Sequence, residues 1–301
     1  MKPNPPTLRL RRDAGVSLTE SMVATALSLV IVSGMLSLFT LDNRVSRDQS
    51  DVVRMQSNAR NAIEFVARDI ATTGYGVTND SVLRSFGVIY PNAAGDESYT
   101  TNAITLWSNT QNIKGTVVKK MPQPSAELVL DSVDGFVEGA EALIIGLGAD
   151  GSIHYDWFVI TQVQDNNGGG EKHLQHAPPT NPNDFVTAYQ KGATVLQASR
   201  VSYFLQTDAA GISQLMRKVG SAAAYAVADN VGALQFTYYD GASPKVAITP
   251  VANATARKKI RSVSVAITAD SGRKALDTRK KRTLTLTIQV APRNVTYLGA
   301  S

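Results

Sequence analysis

The sequence predicts an α+β fold in which one long N-terminal helix packs on an antiparallel, β-rich C-terminal head. Three observations predict it. Residues 21–41 contain neither a charge nor a proline, and a helix of that length covers ~30 Å, the thickness of a bilayer's hydrocarbon core. Val52, Met55, Ala59, Ile63, Val66 and Ile70 then recur at steps of three and four, the stripe of a helix that buries one side only. From Tyr75 onward short β-type runs alternate with turn residues, and no second long helical stripe appears. The long helix is therefore the natural cover for one face of a sheet.

Residues 1–15 carry Lys2, Arg9, Arg11 and Arg12 against Asp13. Basic residues beside a span stay on the cytoplasmic side, which places the C-terminal mass outside. The apolar run is longer than the core of a secretory signal and passes straight into the one-sided stripe, so a classical cleaved signal fits poorly. The expected organisation is a leader at 1–15, a transmembrane half of the helix at 16–41, an amphipathic half at 42–73 and the head at 74–301. Unbroken, such a rod measures roughly 85 Å. Thr72-Thr73-Gly74 ends it, with Gly as the usual C-terminal cap.

Glu20 stands at the edge of the apolar run. A carboxylate there is costly unless paired, and acids at membrane depth are functional candidates by default. The plainer reading is an acid in the first turn that complements the helix dipole, worth under ~1 kcal/mol. Ser33, Gly34 and Ser37 are small enough for close helix contact or are tolerated filler. Arg44, Arg47, Asp48, Asp51, Arg54, Arg60, Glu64, Arg68 and Asp69 lie mostly off the apolar stripe and read as a solvated face.

In the head, strands are expected near 83–90, 103–107, 115–118, 127–130, 142–146, 155–163, 194–197, 200–206, 212–217, 233–239, 260–268 and 283–290. Asp150-Gly151 and Asp240-Gly241 are hairpin signals. Residues 168–182, rich in Gly and Pro, are the expected seam if the head has two parts.

With no cysteine in its 301 residues, the chain has no disulfide, zinc-thiolate site or Cys nucleophile. The net charge of +5 is local: ten basic residues (Arg257, Lys258, Lys259, Arg261, Arg273, Lys274, Arg279, Lys280, Lys281, Arg282) face only Asp270 and Asp277, and the rest of the chain after the leader is net acidic. Between Arg273 and Arg282 the expectation is a solvated hairpin loop, with weak contact to a polyanion such as DNA or anionic lipid as the sharper reading. Aromatic residues that stack on bases are missing there. His173 and His176 read as loop residues rather than metal ligands, and His154 as a half-buried strand residue. Asp165 to Glu171 offers oxygen ligands but not in EF-hand order, and reads as a hairpin tip. No nucleophile elbow, phosphate loop or dinucleotide fingerprint appears. The expectation is a non-enzymatic protein with no cofactor and no metal.

A short basic leader, Gly15, an apolar residue, Glu20 as the fifth residue after Gly15, and an apolar helix resemble the class III signal of type IV pilins and type II secretion pseudopilins. The resemblance implies a pilin-like fold and cleavage by prepilin peptidase between Gly15 and Val16. Val16 would be the N-methylated first residue, where the family most often has Phe. It also implies that Glu20 meets the N-terminal amine of a neighbouring subunit. The head is similar to the PilW-type minor pilins. Phe136-Val137-Glu138-Gly139, the run 142–145 and the run 156–160 resemble the family's middle. Tyr203 with 211–217 resembles its Tyr-strand and Leu-x-Arg hairpin, and 227–240, 260–267 and 290–294 its closing strands. What this implies is a minor pilin held in the inner membrane with its N-terminus cytoplasmic and its head periplasmic, and later sited in the fibre or at its tip. Its partners would be other minor pilins, the major pilin, the assembly platform and the lipid bilayer. Two alternatives stay open: a J-type pseudopilin of type II secretion, and a bitopic adhesin or receptor unrelated to pili.

Overall fold

A computed structural model describes residues 17–77, 87–93, 98–165, 170–177, 185–242, 245–251, 253–275 and 278–296. The fold is α+β, and the chain divides into two compact units, residues 1–50 and 51–301. Helix α1 (Leu18–Thr72) begins in the first and ends in the second.

Its start is set by Ser17, whose Oγ accepts the Glu20 N–H at 3.3 Å. Capping of that kind satisfies one of the four N–H groups a helix start leaves open. In the first unit the apolar side chains point outward all round, with Leu18 80%, Val30 70% and Phe39 65% exposed. Several of the hydroxyls among them are satisfied internally. Thr25, Ser28 and Ser37 each donate to the carbonyl four residues back, at 2.8, 2.8 and 3.0 Å, which suits a medium offering no partners. The helix is long and apolar enough to cross a membrane.

In the second unit the expected stripe is buried: Met55, Ala59, Ile63, Val66 and Ile70, joined by Ala62, with Val52 half-buried. Gly74 leaves the helix at φ 80° and donates its N–H to the Trp107 carbonyl at 2.8 Å. Gly76, at φ 70°, lies so close to the next loop that a Cβ would fall 1.9 Å from the Asn109 carbonyl oxygen. The end of the helix is thus tied to the sheet backbone.

Three antiparallel sheets make up the rest. The six-stranded sheet runs β3 (Lys114–Thr116), β8 (Thr194–Leu196), β5 (Glu141–Leu147), β6 (Ile153–Gln164), β7 (Lys172–Ala177) and β4 (Leu128–Leu130). A five-stranded sheet orders β1 (Ile89–Tyr90), β2 (Ile104–Ser108), β9 (Ser199–Thr207), β10 (Ser213–Val219) and β11 (Tyr225–Asp229). The third contains β12 (Val231–Tyr239), β13 (Ser262–Lys274) and β14 (Lys281–Val290). Two short helices, α2 (Ala254–Arg257) and α3 (Arg293–Thr296), complete the described elements.

The apolar run in β5 is continuous because both faces of its sheet are covered, the pattern of a doubly buried strand. Leu143 and Ile145 join the core that also holds Ile63, Val66, Ile70, Trp107, Tyr203 and Phe236. Ala142 and Ile144 belong to a second core with Phe158, Leu174, Phe185 and Tyr189. One sheet therefore separates two cores. Of the stretch 168–182, residues 172–177 form β7, hydrogen-bonded between β6 and β4, while 168–169 and 178–182 lie outside the described residues.

Three expectations need correction. Strands β7 and β11 were not anticipated: Leu174 is the one fully buried side chain of β7, and β11 is a largely exposed, Ala-rich edge, so neither shows strong alternation. Of the strand expected at 83–90, only Ile89–Tyr90 forms among the described residues, and 83–86 lie outside them. Asp150-Gly151 does turn β5 into β6, closed by the Gly148 N–H donating to Ser152 at 2.8 Å. Asp240-Gly241 instead opens an excursion of some twenty residues before β13, in which the one bridge among the described residues is the antiparallel Tyr239 to Ala247.

Candidate functional site

The processing residues Gly15 and Val16 lie outside the described residues. Glu20 is exposed in the first turn of α1. Ser17 and Glu20 stand three apart in the spacing of a capping box, with the Ser17 side chain already engaged on the Glu20 N–H. The sequence reading weighed the charge of Glu20 and missed this cap. Chemically, the turn offers a carboxylate at the rim of an apolar cylinder, able to accept hydrogen bonds from an ammonium group.

The second cluster fastens α1 to the five-stranded sheet. Tyr203 and Arg217 are register partners across β9 and β10. The Tyr203 hydroxyl donates to Asp69 Oδ2 at 2.6 Å, and Arg217 Nε donates to the same oxygen at 3.0 Å. Arg217 also donates to the Tyr225 hydroxyl at 2.7 Å, its guanidinium 5.9 Å from that ring's centre. Burial, and then the Asp69 charge, pushes the Tyr203 hydroxyl above the usual tyrosine range. Burial works against the Arg217 charge, but the hydrogen bond and charge of Asp69, helped by Tyr203, outweigh it and raise its pKa. Asp69 therefore does not belong to the solvated helix face on which it was expected. The available signal was its place beside Ile70 and three residues after Val66, inside the buried stripe.

Two further carboxylates, one buried and one half-buried, also escaped the sequence reading. Glu141, on β5, accepts a bidentate pair from Arg200 at 2.9 and 2.5 Å. It lines a cavity of about 320 Å³ with Thr110, Gln111, Gln197, Ser199 and Gly220. Because Arg200 holds that carboxylate, the cavity presents it as a fixed ion pair. Asp156, on β6, accepts from the Tyr189 hydroxyl at 2.8 Å and the Val186 N–H at 3.0 Å. Burial lifts its pKa above the ordinary carboxylate value against these bonds.

The histidines are strand residues, which corrects the loop placement of two of them. His173 and His176 both lie on β7. His173 Nδ1 is 2.9 Å from Glu127, and His176 stacks on Phe185 with centroids 3.8 Å apart. His154 is half-buried on β6, as expected, and its Nε2 lies 2.9 Å from Asp150. Of the expected oxygen-rich tip, 166–169 lie outside the described residues, and Glu171 pairs with Lys119. Among the described residues no group of three or more His, Cys, Asp or Glu is placed to hold a metal ion.

The basic cluster divides in two. Arg257 is buried, its guanidinium 4.2 Å from the centre of the Tyr90 ring, and Arg261 donates to the carbonyls of Lys258 and Ile260 at 2.6 and 3.0 Å. These cations serve the fold. Arg273, Lys274, Arg279, Lys280, Lys281 and Arg282 are exposed at the β13–β14 hairpin. Known protein families, characterised proteins and solved structures give no match to this chain.

Proposed function

We propose that this chain is a minor pilin of PilW type, an assembly protein rather than an enzyme. Residues 16–41 hold it in the inner membrane, with the leader cytoplasmic and the head periplasmic. Prepilin peptidase cuts between Gly15 and Val16, and the new N-terminus is methylated. The apolar rods of neighbouring subunits then pack together, Glu20 pairs with a neighbour's amine, and the head meets other minor pilins and the major pilin at the assembly platform and the fibre tip.

The observation that carries this reading is the division of labour along α1. Its first stretch exposes apolar side chains on every side, while its second buries a single stripe under an antiparallel head. A helix apolar all round needs lipid or other helices as its surroundings, and a bundle of such helices supplies both in turn. The class III signal resemblance supplies the processing step.

The test is the mass of the N-terminal peptide from membranes with and without prepilin peptidase. A mature N-terminus at Val16, seen only with the peptidase, is the expected result. An intact leader in both samples would overturn the reading in favour of a bitopic adhesin or receptor.

A further inference from the structure

We infer that the outer edge of β14 is a docking site for an extended segment of another protein, which adds a strand to the three-stranded sheet and carries acidic residues beside Lys280, Lys281 and Arg282. The inference does not depend on the pilin reading.

Open backbone groups are the first ground. The outer side of β12 is covered: Phe236 donates its N–H to the Thr101 carbonyl at 2.7 Å, and the Tyr238 carbonyl accepts from Ile248 at 2.8 Å. Backbone groups alternate sides along an antiparallel strand. Ala233, Gln235 and Thr237 therefore face β13, and their register partners Thr268, Ala266 and Ser264 face back. By the same alternation Ala269, Ile267 and Val265 face Leu284, Leu286 and Ile288 of β14. The Arg282 N–H, given to Ser271 Oγ at 3.0 Å, lies on the inner side as this phase requires. Thr283, Thr285, Thr287 and Gln289 are left with N–H and C=O turned outward along ~20 Å of strand. All four are exposed, and among the described residues no strand pairs with that edge.

The character of the edge is the second. Long open edges are usually blunted by shortness, charge or proline. The other two sheets end in strands of two and five residues, β1 and β11, and of three each, β3 and β4. Strand β14 has ten, and residues 283–290 include no charge, Pro or Gly. Leu284 and Leu286 pack half-buried on Met55, Ala59 and Ala269, and Ile288, in phase with them, is 38% exposed. A fourth strand with apolar residues at alternate positions would cover this row.

Charge selects the occupant. Arg279, Lys280, Lys281 and Arg282 precede the open stretch and Arg293 follows it, all exposed; Asp270 holds Lys281 at 3.2 Å. A second copy of β14, paired antiparallel with apolar row beside apolar row, would bring these four cations of one chain up to Arg293 of the other at each end, and like charges in that position oppose pairing. A strand with acidic ends meets the same groups favourably, and its backbone supplies the main-chain bonds of strand addition.

The probe is a synthetic peptide of about ten residues, alternating valine and threonine and closed by aspartates, added to the full-length protein in detergent. Amide hydrogen exchange resolved to single residues should slow at least about tenfold at Thr283, Thr285, Thr287 and Gln289, and change little at Leu284, Leu286 and Ile288, whose N–H groups already bond β13. The same peptide closed by lysines should protect none of them. Thr285→Pro removes an outward N–H and no inner one, a change an edge strand accepts. It should keep the fold and weaken peptide binding at least about tenfold. Lys280→Gln, at an exposed side chain, should weaken the aspartate peptide about two- to fivefold and reports even where the proline variant does not fold. Unchanged exchange at the highest soluble peptide concentration, or equal binding by folded Thr285→Pro, overturns the inference. Equal protection by the lysine peptide, or equal binding by Lys280→Gln, overturns the acidic occupant. Protection present without peptide and growing with protein concentration overturns it in favour of a second copy.

Discussion

At the residue scale, the Asp69 cluster concentrates the polar coupling between helix and sheet. Its members Asp69, Tyr203 and Arg217 come from α1, β9 and β10, and the last two share one carboxylate oxygen of the first. Removing one member leaves half-buried partners unsatisfied, which costs about 1–3 kcal/mol. Asp69→Ala should therefore lower stability by about 2 kcal/mol. The double variant Asp69→Ala/Tyr203→Phe should lose less than the sum of the singles, with a coupling of at least about 0.5 kcal/mol in chemical denaturation. Strict additivity would show that the three groups do not act as a unit. Asp156 makes a prediction with a definite sign. Its folded pKa is raised, so the folded state holds the proton more tightly than the unfolded one. The stability this lends is present below the unfolded value and lost as pH rises through the folded one. Asp156→Asn keeps an oxygen for Tyr189 and Val186 but never ionises. Its thermal midpoint relative to the parent should rise as pH climbs above the ordinary carboxylate value of about 4 and level off once Asp156 of the parent is ionised, and a difference that stays flat would refute the assignment. Little of this was readable beforehand. A buried carboxylate and a solvated one are the same letter, and Asp69 differs from Glu64 only in which side of the helix it occupies. Ser17 and Glu20, by contrast, had the spacing of a cap in plain view.

At the scale of elements, the helix was the legible part, because a period of 3.6 sustained over many turns leaves few alternatives. The stripe from Met55 to Ile70 is buried as the spacing requires. Ile70, fully buried against the main core, is where that stripe should matter most. Ile70→Ala should cost about 2–5 kcal/mol and lower the thermal midpoint by roughly 10 °C in differential scanning calorimetry. A shift under a degree would mean that the helix is not fastened to the sheets as described. Strands with one dominant face or a long apolar run, such as β5, β12 and β13, were equally readable. Those whose order comes from their neighbours were not. Strand β7 forms because β6 and β4 both present open backbone groups to it, although its own side chains alternate poorly. The Asp240-Gly241 turn shows the converse: a strong local signal fixed a bend, but not which strand followed it.

At the scale of the whole molecule, two demands meet in one helix. The first stretch of α1 presents an apolar cylinder with several of its hydroxyls turned onto its own carbonyls. The second is committed to the head through its stripe and Asp69. A protein so divided can leave a bilayer only for an environment that also accepts an apolar cylinder, and a bundle of like helices is such an environment. In the proposed bundle the Glu20 carboxylate is matched by a neighbour's amine, and without that match it is an unpaired charge among apolar side chains. The measurement that bears most directly on this is the fraction of Glu20→Ala protein recovered in sheared filaments relative to membranes. The account predicts unchanged membrane levels and at least about a tenfold loss from filaments, the equivalent of about 1.4 kcal/mol. Equal incorporation of Glu20→Ala and the parent protein would contradict it.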